Sequence, residues 1–161
     1  MSRATPATRA LDRAGVAYVL HVYDYRPGAG RIGLQAAASL GADPAQVLKT
    51  LMLLVDGQPH CAVLPSDGEA SLKRLARAVG GKAAQMMSPE AAERSSGYKV
   101  GGISPLGQRR PLPVVVEAAA LVHRQVFVNG GQRGLQIRLA PADLVAVLSA
   151  QTASFAGDGG G

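Results

Sequence analysis

A single cysteine, Cys61, stands in a chain of 161 residues. It excludes an intramolecular disulfide and any thiolate-rich metal site. Tryptophan is absent and only four tyrosines and two phenylalanines occur, which excludes a broad base-stacking surface of the single-strand-binding kind. Charged residues are sparse at 17%, below the ~25% of an average soluble domain, whereas 47% of the chain is hydrophobic. The composition is that of a globular chain rich in small residues, not a disordered one. No apolar run approaches the ~18 residues of a membrane span, and the first residues carry no long apolar stretch. The expected compartment is the cytosol, with no membrane association.

Metal and nucleophile signatures are also missing. His21, His60 and His123 are scattered without ligand spacing, and no H-E-x-x-H, H-x-E, C-x-x-C or D-x-D pattern occurs, so metal-free chemistry without a cofactor is expected. His60 and Cys61 are adjacent, which puts them on opposite faces of a strand and makes them a poor base and nucleophile pair. Cys61 is therefore assigned to the core. No Gly-x-Ser-x-Gly elbow or Walker loop is present. The run Gly28 to Gly33 matches the dinucleotide fingerprint literally, with Asp56 at a fitting distance. That reading is rejected, because the preceding strand carries His21 and Asp24 and is followed by Arg26-Pro27 before any glycine.

What is present is positive charge and glycine. Lysine and arginine outnumber acids 17 to 11, a net charge of +6. This suits a polyanionic partner, or equally a set of ordinary solvated arginines. Local signals order the chain. Thr5-Pro6 opens a helix that Gly15 stops, residues 16–25 read as a strand, and 32–40 as a helix. Residues 47–55 form a buried strand that returns through an Asp56-Gly57 hairpin as 60–64. Ser71 and Ser88 cap two further helices, residues 113–117, 124–129 and 135–139 read as strands, and Pro141 to Leu148 closes as a helix. The irregular alternation predicts an α+β fold, a curved mixed or barrel-like sheet with helices outside, over a single domain at 1–150 with a flexible tail at 151–161.

Two features stand out chemically. Gly97 to Gly107 holds four glycines and a proline and must be a shaped loop, either a structural crossover or a place where bare Gly101-Gly102 N–H groups meet an oxygen. Lys49 lies within an apolar strand, either at a solvent edge or lining a pocket where its ammonium meets an anionic or carbonyl oxygen.

The segment Arg94-Ser95-Ser96-Gly97-Tyr98-Lys99-Val100-Gly101-Gly102-Ile103-Ser104-Pro105-Leu106-Gly107 resembles the signature of the YbaK-type Cys-tRNA(Pro) deacylases, relatives of the editing domain of bacterial prolyl-tRNA synthetases. Thr5-Pro6-Ala7, Gln46-Val47-Leu48-Lys49-Thr50-Leu51 and Gly130-Gly131-Gln132-Arg133-Gly134-Leu135 follow in the family's order, covering about residues 5–150. The resemblance implies a trans-editing deacylase of misacylated tRNA, chiefly Cys-tRNA(Pro), in which the cysteine thiol attacks its own ester. It also implies prolyl-tRNA synthetase as a candidate partner. Lys49, Gly101 and Gly102 are its implied catalytic groups, and Tyr23, Thr50, Ser104, Asn129, Gly131 and Gln136 its substrate-binding ones. Asn129 and Gln136 depart from the family, which has serine and aspartate there, so the alternatives of another small amino acid or a non-catalytic tRNA- or synthetase-binding module stay open.

Overall fold

A computed structural model describes residues 4–27 and 32–157. Helix α1 (Pro6–Ala14) follows from its ends. The Thr5 hydroxyl accepts from the Thr8 N–H at 3.1 Å, the Thr8 hydroxyl accepts from the Thr5 N–H at 2.8 Å, and Gly15 ends the helix at a φ of 70°. Next come β1 (Val19–Val22), α2 (Ile32–Leu40), β2 (Leu48–Val55) and β3 (Gln58–Pro65). Asp56 and Gly57 both take positive φ, 50° and 82°, the conformation that a tight hairpin between β2 and β3 requires.

The chain continues through β4 (Glu69–Ala70), α3 (Leu72–Ala78), β5 (Ala84–Met86) and α4 (Pro89–Ser96), with Ser71 and Ser88 capping the two helices. After the glycine loop come β6 (Val114–Glu117), a 3-10 turn (Ala118–Val122), β7 (Val126–Asn129) and β8 (Leu135–Leu139). Helix α5 (Pro141–Leu148), β9 (Gln151–Ala153) and β10 (Ala156–Gly157) close the described chain. No helix among the described residues is long and apolar enough to cross a membrane.

The main sheet runs β5-β2-β3-β6-β9, antiparallel across its first three strands and parallel from β3 to β9. A second, antiparallel sheet runs β1-β8-β7. The two meet at a parallel bridge between Val47 and Phe127, where the Phe127 N–H donates to the Gln46 carbonyl at 3.0 Å. The α+β class with a mixed sheet is as expected, and the described strands form separate sheets rather than a closed barrel. Strand β1 is short because only four residues pair with β8, and that antiparallel edge position is unlike the buried parallel strand a dinucleotide motif needs. Residues 28–31 of that motif lie outside the described residues.

Strand alternation splits the core. Cys61, Val63, Val114 and Val116 pack with Leu48, Met52 and Leu11, whereas Ala62, Leu64 and Val115 pack with Leu53, Leu75 and Phe155. Burial pushes the Cys61 thiol up to about 12, consistent with an inert core residue. The expected boundary at residue 150 is displaced. Strand β9 extends the main sheet, Phe155 is fully buried, and the Glu117 carboxylate accepts from the N–H groups of Phe155 (2.8 Å) and Ala156 (2.7 Å), so packed structure reaches residue 157.

Candidate functional site

Strand β2 shares one edge with β3 over its whole length. Its other edge meets β7 only at Val47 and β5 only from Leu53 onward. Between those points, among the described residues, Leu48 to Leu51 pair with no strand along that edge, where β7 and β2 run close without a ladder. A cavity of about 220 Å³ opens at this gap. Leu48, Lys49 and Thr50 supply one wall, Asn129 and Gln136 of the second sheet another, and Val100, Gly101 and Ile103 of the glycine loop a third. Ile32 and Gly33 at the start of α2 complete the lining.

Side chains on several elements hold the loop, among them Glu93 of α4, whose carboxylate accepts from the Val100 N–H at 2.8 Å. Asn129 donates from Nδ2 to the Gly101 carbonyl at 3.1 Å, and its Oδ1 accepts from the Gly131 N–H at 2.8 Å. Arg133 donates from Nε to the Val100 carbonyl at 2.9 Å, with its guanidinium 5.5 Å from the centre of the Tyr25 ring. The buried Tyr98 hydroxyl donates to the Leu106 carbonyl at 2.6 Å and ties the far side of the loop. Burial pushes this phenol up to about 12, so it stays a neutral donor.

The two central glycines turn out to be different. The Gly102 N–H donates to the Lys99 carbonyl at 2.8 Å and is already spent, which corrects the expectation that both glycines offer an N–H to a ligand. A Cβ on Gly102 would sit 2.9 Å from the Arg133 backbone nitrogen, so this glycine serves close packing. Gly101 lines the cavity, and its N–H makes no hydrogen bond among the described residues.

Other expectations are also redistributed. Lys49, Thr50, Gly101, Asn129 and Gln136 are brought together at the cavity, while Gly102, Ser104, Gly131 and Tyr23 are not part of its lining. Ser104 is buried and its hydroxyl accepts from the Leu106 N–H at 3.2 Å, a turn-forming role. Gly131 adopts a φ of 94°, and a Cβ there would press on Tyr98 at 2.9 Å. Tyr23 packs against Phe127, Ala36 and Val47 beneath α2. Its hydroxyl makes no hydrogen bond of normal geometry, and burial raises its pKa against weaker opposing contacts that include the Gln136 side chain.

Gln136 is the cavity's most enclosed polar side chain, 2% exposed, and its Oε1 is buried without a partner. The Tyr23 hydroxyl, the other unpaired buried oxygen here, lies near enough to the Gln136 side chain to act on its titration, so the two face each other outside normal hydrogen-bond geometry. Ile32, Gly33, Leu48, Val100 and Ile103 were not singled out from the sequence. Gly33 appeared in the sequence only within the rejected dinucleotide match, and the structure gives its reason: a Cβ there would collide with the Ser66 side chain.

A family model described as the aminoacyl-tRNA editing domain matches residues 31–147. The chain is 31% identical over 153 residues to a protein of Enterococcus faecalis provisionally named Cys-tRNA(Pro)/Cys-tRNA(Cys) deacylase EbsC, covering 94% of this chain and 92% of that one. It is 30% identical over 95 residues to the proline–tRNA ligase of Acidithiobacillus ferrooxidans, covering 59% of this chain but 16% of the ligase. A solved structure provisionally described as a trans-editing enzyme for prolyl-tRNA synthetase superposes with a TM-score of 0.80 at 26% identity, covering 97% of this chain and 99% of that one.

Proposed function

The chain belongs to the aminoacyl-tRNA editing domain family, and on that basis we propose that it removes a wrongly attached small amino acid from tRNA in trans, Cys-tRNA(Pro) being the leading substrate. The observation that carries this reading is the cavity at the sheet gap. Its volume of about 220 Å³ is below the ~300–1,000 Å³ of drug-sized sites, and it presents an ammonium, a hydroxyl, an amide oxygen and a bare backbone N–H. Such a site suits a small aminoacyl group.

The reaction proposed is substrate-assisted. An aminoacyl ester is already activated, so positioning and oxygen stabilisation suffice when the substrate carries its own nucleophile. The cysteinyl sulfur attacks the ester carbonyl carbon, the carbon–oxygen bond to the ribose breaks, and the ribose oxygen takes up the thiol proton. The products are a thiolactone and free tRNA. In this reading Lys49 and the Gly101 N–H stabilise the developing oxyanion, Thr50 and Gln136 hold the amino acid, and Asn129 positions Gly101. The reading requires no metal and no cofactor.

A panel of aminoacyl-tRNAs tests it by following ester loss. Cys-tRNA should react much faster than Ser-tRNA or Ala-tRNA, since a hydroxyl is a weaker nucleophile and a methyl group is none. The Lys49→Ala variant should lose about 10²–10³-fold in turnover, the usual cost of one oxyanion donor. Equal rates on cysteinyl and S-methylcysteinyl esters would make water the nucleophile and overturn self-cyclisation. Preference for a different small amino acid is favoured by one observation, the neutral Gln136 amide in the lining, and the same panel reads it out.

A further inference from the structure

Beyond the far end of the α4 and glycine-loop segment lies a larger groove of about 570 Å³. Three arginines line it, Arg94, Arg109 and Arg110, together with apolar residues that include Leu54 and Met86. All three arginines are exposed, and among the described residues none of them pairs with a carboxylate. Backbone bonds hold them together. The Arg109 N–H donates to the Ser96 carbonyl at 2.9 Å and the Arg110 N–H to the Ser95 carbonyl at 3.4 Å, which clamps this pair against the last turn of α4 where Arg94 sits.

Three uncompensated like charges in one groove repel each other and focus a positive field, an arrangement that an incoming polyanion relieves. Guanidinium forks match phosphate oxygens in geometry as well as in charge. No Phe, Tyr or Trp lines the groove, so it reads charge and not bases. Its position relative to the cavity is defined by β2. Leu54 in the groove and Thr50 in the cavity lie four residues apart on one face of that strand, about 13 Å at ~3.3 Å per residue. The groove is therefore within reach of the last few nucleotides of an RNA whose terminal ester sits in the cavity.

We propose that the groove formed by Arg94, Arg109 and Arg110 binds the phosphate backbone of the substrate RNA next to its aminoacylated end, without sequence preference. This rests on aminoacyl-tRNA as the substrate. The test compares wild type with the full-length triple variant Arg94→Ala/Arg109→Ala/Arg110→Ala, and with the corresponding triple glutamine variant, which keeps more of the side-chain stems. Circular dichroism and thermal melting check the fold of both.

Binding of unacylated tRNA is measured across a salt series. The variants should bind at least tenfold more weakly at low salt, and the slope of log K against log salt should flatten by about two, three lost phosphate contacts at ~0.7 each. Turnover is measured on aminoacyl-tRNA and on the same amino acid esterified to adenosine alone, which is too short to reach the groove. The variants should lose kcat/KM on the tRNA and keep it on the adenosine ester. Wild-type affinity and salt slope in the variants would overturn the groove, as would equal loss on both esters, or displacement of tRNA by polyglutamate as readily as by unlabelled RNA. If wild type cleaves neither ester while the variants still lose tRNA affinity and slope, the deacylase reading fails and the RNA groove stands.

Discussion

Asn129 Nδ2 donates to the Gly101 carbonyl at 3.1 Å, so the β7 edge of the three-stranded sheet fixes the glycine whose N–H has no partner among the described residues. The Asn129→Asp change places an oxygen against that carbonyl, where the bond becomes a repulsion. Turnover of aminoacyl-tRNA should fall by about tenfold or more, since a lost bond of ~0.5–1.5 kcal/mol is compounded by displacement of the loop. Rate assays with a melting curve check this. Wild-type turnover in Asn129→Asp would remove Asn129 as the positioning residue.

Gln136 lines the cavity, and its buried Oε1 makes no hydrogen bond of normal geometry. Gln136→Asp supplies a carboxylate for the substrate α-ammonium, a charge-assisted contact of about 1.5–3 kcal/mol, so KM for a cysteinyl ester should drop roughly tenfold to a hundredfold. The free variant should melt earlier, because the new charge is buried without a partner. Titration with a non-hydrolysable cysteinyl adenosine amide should then raise its Tm more than it raises that of wild type. Unchanged kinetics would mean that another group already holds the ammonium.

Glu117 is 3% exposed, and its two oxygens accept from Phe155, Ala156 and Ala119 N–H groups at 2.7–2.8 Å. Glu117→Ala strands these donors and should cost about 2–3 kcal/mol of stability in a urea titration. Limited proteolysis should show new cleavage at 151–157 in the variant. Glu117→Gln, which keeps one acceptor oxygen, should fall between the two.

His21 sits opposite Gln136 across β1 and β8, with Nε2 buried and unpartnered and its ring 5.4 Å from that of Phe127. Burial first, and the Arg138 charge second, hold its pKa below the usual ~6.5. Below that value the unfolded chain takes up a proton that the folded chain refuses, so the stabilisation present above pH ~6.5 is lost as pH falls. His21→Phe should therefore shrink the drop in urea midpoint between pH 7.5 and 5.5. An identical pH dependence in both proteins would remove His21 as its source.

Much of the local structure was legible from short-range chemistry. Thr5-Pro6 and Gly15 bound a helix by satisfying its free N–H and carbonyl ends, and Asp56-Gly57 dictates a hairpin because few other residues take those φ angles. Cys61 was legible as core for the same kind of reason, its place in an apolar strand. The glycine loop and the glycine turn after β7 announced that backbone freedom was needed at Gly101, Gly102 and Gly131. What the freedom is for is a tertiary matter. Gly102 avoids the Arg133 backbone, Gly131 avoids Tyr98, and Gly101 alone reaches the cavity. The cavity opens where β7 and β5 leave part of one β2 edge unpaired, and strand neighbours far apart in sequence are chosen by packing, not by local propensity. The segment at 151–157 lacks strong local signals, yet it is held by Phe155 in the core and by Glu117, a carboxylate 38 residues upstream. Sequence alone therefore determined the elements and the residue types available for chemistry, while only the tertiary structure decided which of those residues share one cavity.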